Sequence, residues 1–434
     1  MTAKKSSVHR FKLTGGIQIM SLRVVIVSLS ALLIVTSGVY AQGALEYWKQ
    51  AQQLEKEGNH VKALELYTQG LSLDPLNQSA DRAYNNRGLL YYASGDCRKA
   101  LEDFNSAIKL SPGDGACYYN RGNAHRCLSM VENAISDYST SIQLQPSNGA
   151  AYNNRGSLYF EKGNYESAEA DYTKAILYSP EDSEVYCNRG NVYRVSGRYD
   201  QALLDLDKAL ELNRYNAVAH YYRAMLNFDR GRYKEARSDM DDAVRIAPDE
   251  PEMLCFRGDV NRAQGYYDWA LADYNKVLQL SPRYARGFDK RGSLYLERGN
   301  VLGAVEDFNQ AIEIDPRFAG AYYNRGGAYL EQGKYEDARK DFTRVITLNP
   351  TYHQAYYKRA MVGLMERKYR QVIEDCTKAL DLHESFKDAY LLRAEAFQAQ
   401  GNLQQAREDI KKAEELSGGF ELPDIEKNII EPIF

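Results

Sequence analysis

Small and aromatic residues recur at fixed intervals along the chain from Ala44 onward, with polar residues between them. When each 34-residue window is numbered from 1, apolar or small residues occupy positions 4, 8 and 11, and again positions 20, 24 and 27. Residues three or four apart share one face of a helix, so each window predicts two amphipathic helices. A glycine at position 15 and a proline at position 32 end these helices in most windows.

The window repeats eleven times. Its clearest marker is the run Tyr84–Gly88, which returns as Tyr118–Gly122, Tyr152–Gly156, Tyr186–Gly190 and Tyr322–Gly326. The first repeat spans 44–77 and ten more follow in register over 81–420. One helix pair cannot bury its apolar face alone, so neighbouring pairs must stack. We therefore expect an all-α fold, an α/α superhelical solenoid of about eleven 34-residue helix-turn-helix repeats.

This pattern resembles the tetratricopeptide repeat (TPR) family over residues 44–420. The resemblance implies a right-handed superhelix whose first helices line a concave groove that receives a peptide or the surface of a partner protein. Local departures are Arg214 and Glu384 in place of the closing proline, and Arg367 in place of the turn glycine. The resemblance implies a scaffold for protein–protein interaction and no enzymatic activity.

The two ends of the chain differ from the repeats. Residues 1–41 hold basic residues, no acidic residue and an apolar run over 24–35, which predicts an export signal ending near Ala41. An uncleaved membrane anchor is the alternative. Residues 421–434 are apolar at their end and are predicted to cap the last repeat, or else to dock on another protein. We expect the protein in the periplasm or cell envelope, with secretion or membrane anchoring as alternatives.

Arginine occupies position 7 and aspartate position 23 in every repeat from the second onward, and the first repeat lacks both. A guanidinium beside a packed face needs an acceptor, because an unpaired buried charge is very unfavourable. We predict structural ion pairs between these positions, among them Arg121 with Asp137, Arg155 with Asp171 and Arg189 with Asp205. Whether each pair lies within one repeat or joins two neighbours stays open.

The groove positions carry the candidate binding residues. Asparagine recurs at position 6, and similar asparagines hold a peptide backbone in O-linked glucosaminyl transferases, which this chain resembles in its repeats only. Position 12 alternates between aromatic residues and arginines, and exposed side chains of these types are common at protein-binding surfaces. The alternative is that both sets pack on their own neighbours. The predicted groove comprises Asn86, Tyr92, Tyr119, Asn120, Asn123, Arg126, Asn154, Phe160, Asn188, Asn191, Arg194, Tyr221, Phe228 and Arg262.

The remaining chemistry is sparse. Of six cysteines, only Cys97 and Cys127 lie near the same end of neighbouring repeats, so they are the candidate disulfide. The histidines show no metal-binding spacing, and the sequence holds no phosphate-binding or nucleophile motif, so we expect no metal, no cofactor and no catalytic residue. A net charge of −4 argues against nucleic acid as the main ligand.

The expected partners are therefore proteins or peptides, and the oligomeric state stays open. The alternative function is a non-catalytic recognition subunit of an envelope or glycosyl-transfer enzyme complex. A sensor for a small ligand is a third class, which would need one deep pocket instead of a continuous groove.

Overall fold

The computed structural model describes residues 40–77 and 79–417, and these ranges hold twenty-two α-helices and no strands. The predicted all-α class is confirmed. The predicted export segment and C-terminal tail lie almost entirely outside the described residues. Within the described ranges, no helix is both long enough and apolar enough to cross a bilayer.

The helices follow one another in pairs, one pair to a repeat. Their bounds are α1 (40–56), α2 (His60–Leu73), α3 (Ala80–Ala93), α4 (Cys97–Leu110), α5 (Gly115–Cys127), α6 (Val131–Leu144), α7 (Gly149–Glu161), α8 (Tyr165–Tyr178), α9 (Ser183–Val195), α10 (Tyr199–Leu212), α11 (Ala217–Asp229), α12 (Tyr233–Ile246), α13 (Pro251–Ala263), α14 (Tyr267–Leu280), α15 (Ala285–Glu297), α16 (Val301–Ile314), α17 (Ala319–Glu331), α18 (Tyr335–Leu348), α19 (His353–Met365), α20 (Tyr369–Leu382), α21 (Lys387–Ala399) and α22 (Leu403–Leu416).

The chain divides into two compact units. The first ends at Leu212 and contains α1 to α10, and the second begins at Asn213 and contains α11 to α22. In each unit, the second helix of one pair also packs on the first helix of the next, as α4 does on α5 and α12 on α13. Each unit is therefore a stack of helix pairs in chain order.

Close approach within a pair depends on a small residue at position 8, which is glycine in most repeats. In the third repeat, a Cβ on Gly122 would lie only 2.7 Å from Cε1 of Tyr138, which is fully buried in the facing helix. A larger residue would push the ring and the helix away, because cores are packed without spare volume. The small residue and the ring opposite it therefore set the distance between the two helices.

A left-handed residue at position 15 makes the turn between paired helices. Gly163 has φ 74° there, and the next residue, Asn164, caps α8 by accepting a hydrogen bond from the Ser167 amide. Ser129 and Arg367 hold the same conformation, with φ 59° and 57°. Two residues that rarely adopt it thus do so where the packed helices require that turn.

Candidate functional site

Each of the ten position-7 arginines forms an ion pair with the position-23 aspartate of its own repeat. The closest nitrogen–oxygen distances are 2.6–2.7 Å, and every one of these aspartates is 4–7% exposed. In the fourth repeat, Nε and Nη2 of Arg155 both donate at 2.7 Å to the two carboxylate oxygens of Asp171. The pairing is a bidentate bond between α7 and α8, the geometry that suits arginine.

The same arginines also reach the preceding repeat. Nη1 of Arg155 donates to Oγ of Ser139, which lies at position 25 of the repeat before it. The equivalent acceptors are Thr68, Asn105, Thr173, Asp241, Asn275, Asn309, Thr343 and Thr377. Every position-7 to position-23 ion pair therefore lies within one repeat, and the arginine joins its helix pair to the preceding repeat through a separate acceptor at position 25, which was not identified from the sequence.

Aromatic rings cover most of these guanidinium groups. Position-11 rings lie 5.6–6.0 Å from the arginine carbon in six repeats, as Tyr159 does over Arg155. The hydrogen bonds that Arg155 donates to Asp171 raise the pKa of Arg155, so the buried group stays charged. In three repeats His125, Asn227 or Asn261 stands at position 11, and its side chain bonds the aspartate directly.

The position-6 asparagines, predicted to line the groove, use their amide nitrogens within the protein. Each donates to the first helix of the preceding repeat: Asn120 to Asn85, Asn154 to Tyr119 and Asn123, and Asn188 to Asn153, at 2.8–3.2 Å. Asn86 is the exception, since it donates to the Tyr67 hydroxyl in α2, the second helix of the first repeat. These amides therefore link neighbouring repeats, and each uses at least one of its two N–H donors for that contact.

Two further asparagines predicted for the groove lie deeper than expected. Asn191 is 6% exposed, and its Oδ1 accepts from Nε of Arg194. Oδ1 of Asn123 accepts from the hydroxyl of the fully buried Tyr138 at 2.7 Å. Asn191 therefore holds the Arg194 side chain by a hydrogen bond and, being buried, is not an open groove residue.

The predicted position-12 residues of the first unit remain at the surface to different degrees. Tyr92 is 39% exposed and Arg126 is exposed, whereas Phe160 and Arg194 are half-buried. The Phe160 ring lies 5.4 Å from that of Tyr165. These four side chains stand at the same register on α3, α5, α7 and α9, so they form one row across successive first helices.

The equivalent face of the second unit is more aromatic and its arginine is neutralised. Tyr221 and Phe228 both contact Phe256, with ring centroids 5.6 and 5.5 Å apart. Nε of Arg262 lies 2.9 Å from a carboxylate oxygen of Glu297 in the next repeat. Arg262 therefore differs from the expected open cationic contact, because the protein supplies its counter-ion.

Cys97 and Cys127 form a disulfide between the start of α4 and the end of α5, with their Cα atoms 6.3 Å apart. It joins the second and third repeats. Cys117, Cys187, Cys255 and Cys376 are buried as free thiols, and burial raises the pKa of each to about 12. In the part of the chain that the structure describes, no group of His, Cys, Asp and Glu residues has metal-binding geometry.

Models of known families match these repeats. Tetratricopeptide repeat models match residues 81–114, 187–251, 319–352 and 387–419, and a TPR repeat model matches 156–195 and 292–333. Together they cover more than half of the chain and support a protein–protein interaction scaffold.

Individual relatives are similar over shorter stretches. Photosystem I assembly protein Ycf3 of Acaryochloris marina (strain MBIC 11017) is 31% identical over 74 residues, 17% of this chain and 43% of that protein. The tetratricopeptide repeat protein 36 homolog of Nematostella vectensis is 38% identical over 73 residues, 17% of this chain and 39% of that protein. The chain thus spans less than half the length of these relatives.

A solved structure, the APC/C hetero-tetramer Cut9–Hcn1, shares the fold with a TM-score of 0.51 and 12% identity, over 92% of this chain and 99% of that one. The repeated family matches and the paired-helix architecture agree. The chain therefore belongs to the tetratricopeptide repeat family.

Proposed function

We propose that the chain is a non-catalytic scaffold that binds extended peptide segments of partner proteins along its first helices. The observation that carries this proposal is the row of Tyr92, Arg126, Phe160 and Arg194 at one register of α3, α5, α7 and α9. Rings alternate with guanidinium groups along it, and both remain at least partly accessible. Side chains of these types dominate the binding energy of protein interfaces.

The alternation defines the ligand chemistry. Acidic side chains or a terminal carboxylate suit Arg126 and Arg194, and apolar side chains suit Tyr92 and Phe160. The position-6 amides each donate at least one hydrogen bond within the protein, so specificity rests on the position-12 side chains more than on amide contacts to the peptide backbone. The first helices of the second unit, with Tyr221, Phe228 and Phe256, suit a more apolar partner surface.

The double variant Phe160→Ala/Arg194→Ala is expected to weaken peptide binding by about 2 kcal/mol, because it removes one apolar and one cationic contact from the row. The ligands are peptides selected on the full-length chain from a random display library, with affinities measured by calorimetry. The matched control is Lys174→Ala/Leu177→Ala, which removes one cation and one apolar side chain from the exposed surface of α8.

Selected peptides should alternate acidic and apolar residues and should keep their affinity for the α8 control. If the selected peptides bind the Phe160→Ala/Arg194→Ala variant as tightly as the parent chain, the proposed groove is wrong. Loss of binding in the α8 control alone would move the binding surface to the second helices.

We also propose that the scaffold works outside the cytoplasm. The basic and apolar composition of residues 1–41 supports export. The Cys97–Cys127 disulfide supports the same compartment, because disulfides persist in oxidising surroundings and are rare in the cytosol.

Thiol trapping tests the compartment. Cells are quenched in acid, and the protein is denatured and alkylated with and without prior reduction. We expect alkylation of Cys117, Cys187, Cys255 and Cys376 without reductant, and of Cys97 and Cys127 only after reduction. Full alkylation of all six without reductant would contradict the proposal, because the disulfide would then be absent in the cell. The count is made by mass spectrometry of the intact chain.

A further inference from the structure

The ring at position 11 has a constant set of neighbours. In the fifth repeat, Tyr193 lies 5.6 Å from the position-7 Arg189 and 4.4 Å from Arg198 at position 16. Arg198 in turn pairs with Glu169, at position 21 of the preceding repeat. In the second repeat, Lys99 at position 19 lies 5.3 Å from the ring of Tyr91. Four positions thus surround the ring: 7, 16 and 19 of its own repeat and 21 of the repeat before.

The seventh repeat has no ring at this place. Position 11 is Asn261, and the four surrounding positions are Arg257, Tyr266, Trp269 and Arg237. Three of these four, with Asn261, Asp241 and Ala272, line a cavity of about 240 Å³ between α12, α13 and α14. Position 4 is Leu254, so no ring covers Arg257 from the other side either. The cavity therefore lies at the place that an aromatic side chain fills in the repeats with a ring at position 11.

Hydrogen bonding around this cavity is weaker than at the equivalent places in other repeats. Asn261 is 4% exposed and its Nδ2 donates to Asp273 at 3.1 Å, which fixes the orientation of the amide. Its Oδ1 has no hydrogen-bond partner. Nη1 of Arg257 is 3.4 Å from Asp241, whereas the equivalent bonds elsewhere measure 2.7–3.2 Å. Oδ1 has almost no accessible surface, so a guest cannot reach it. The Asp241 side chain lines the cavity, is 55% exposed and makes only long contacts with Arg237 and Arg257, at 3.9 and 3.4 Å, so its carboxylate can accept a hydrogen bond from a guest.

The rim has the composition of a binding hot spot. Trp269 is 51% exposed and Tyr266 is 44% exposed. The guanidinium of Arg237 lies 4.2 Å from the Trp269 ring and 4.9 Å from the Tyr266 ring. Exposed Trp, Tyr and Arg side chains around a small cavity are typical of the centre of a protein interface.

The cavity is separate from the proposed groove. At 3.6 residues per helical turn, Arg257 and Asn261 lie nearly opposite the groove positions of α13, which are Cys255, Asp259 and Arg262. Binding at one place therefore does not require binding at the other.

We propose that this cavity binds a tyrosine side chain of a partner protein. The guest ring would lie over Arg257 as Tyr159 lies over Arg155, and its hydroxyl would donate to the carboxylate of Asp241. The two arginines and two aspartates around the cavity balance in charge, which favours an uncharged guest. Its volume is below the roughly 300–1,000 Å³ of sites for drug-sized ligands and suits one side chain.

The test titrates the full chain with N-acetyltyrosinamide and follows tryptophan emission. The chain has two tryptophans, and Trp48 is 5% exposed in α1, so a change reports mainly on Trp269. We expect saturable binding in the millimolar range. N-acetylphenylalaninamide lacks the hydroxyl donor and should bind about tenfold more weakly. The variant Asn261→Tyr restores the ring and should abolish binding of both compounds.

A second variant tests whether a loss of binding arises from blocking the cavity and not from misfolding. Ala272 is exposed on α14, so Ala272→Leu narrows the entrance without changing the core and should also weaken N-acetyltyrosinamide binding. Helical content by circular dichroism should match the parent chain in both variants. Unchanged binding in a folded Asn261→Tyr variant would overturn the proposal, as would equal binding of the two compounds. The proposal would also be overturned if the cavity bound p-cresol, which is the tyrosine side chain alone, but not N-acetyltyrosinamide. In that case a tyrosine within a polypeptide would not fit.

Discussion

Replacing Asp171 with alanine is expected to lower the free energy of unfolding by about 3–5 kcal/mol, because it leaves a buried charge without its partner. The Arg155 side chain is 18% exposed and lies between the rings of Tyr152 and Tyr159. Its hydrogen bonds to Asp171 are the main cause of its raised pKa, and a guanidinium does not escape burial by losing its proton. In the variant, water can therefore reach the Arg155 guanidinium only if the contact between α7 and α8 opens.

Long repeat arrays do not always unfold in one step, so this loss is best measured locally. The amide hydrogen exchange rates of α7 and α8 should rise by the factor that corresponds to this loss of free energy. Urea unfolding gives the change in unfolding free energy for the whole chain. The matched control is Glu132→Ala, which breaks an exposed pair with Lys162 in the same part of the array and should change stability by less than about 1 kcal/mol. If both variants lose a similar amount of unfolding free energy, the buried pair of Arg155 and Asp171 contributes no more stability than an exposed ion pair.

The double variant Cys97→Ala/Cys127→Ala is expected to be less stable than the oxidised parent chain by about 3 kcal/mol. The disulfide joins residues 30 positions apart, and a cross-link of that span restricts the unfolded chain. The loss should be concentrated in the second and third repeats. Urea unfolding and exchange rates in α4 and α5 measure it.

Reductant provides the control for this variant. Reduction should destabilise the parent chain by a similar amount and leave the double variant unchanged, because the four other cysteines are buried thiols in the native structure. If reductant leaves the parent chain as stable as before, the disulfide does not contribute to stability. If it destabilises the double variant, the effect arises elsewhere.

The helix pairs were predictable because each signal for them is local and repeated. Gly122 and Tyr138 carry the same spacing as their counterparts in other repeats, so the close approach of two helices followed from sequence alone. The pairing of Arg155 with Asp171 followed from the need of a buried guanidinium for an acceptor. Both inferences need only the chemistry of one repeat.

The connections between repeats were less predictable, because they depend on how far one pair is rotated against the next. Ser139 as an acceptor for Arg155 was missed, although a small polar residue recurs at position 25. The role of Asn120 was ambiguous, since an amide can serve a ligand or a neighbour equally well. Burial of Asn191 and pairing of Arg262 with Glu297 likewise required the stacked structure.

The cavity at Asn261 was detectable in principle as a departure from the pattern. Position 11 is a ring in most repeats, and a polar residue there signals either a direct bond to the aspartate or a missing ring. Sequence comparison among repeats shows the substitution at Asn261 but not the space beside it. The contact between Trp269 and Arg237 at the rim of that space likewise joins two repeats and is visible only in the structure.

The arginine bonds have symmetric offsets along the sequence, and this bears on how such a chain can change length. Arg155 bonds Asp171, sixteen residues ahead, and Ser139, sixteen residues behind. Arg325 bonds Asp341 and Asn309 at the same offsets. A duplication or deletion of a whole 34-residue block, cut at any point within a repeat, restores a position-7 arginine with an acceptor at each offset. Duplication or deletion of such blocks could therefore lengthen or shorten the array without evolving a new interface. A short insertion between repeats is also compatible with these bonds, since Arg87 still bonds Thr68, nineteen residues behind it, across the three residues added between the first and second repeats.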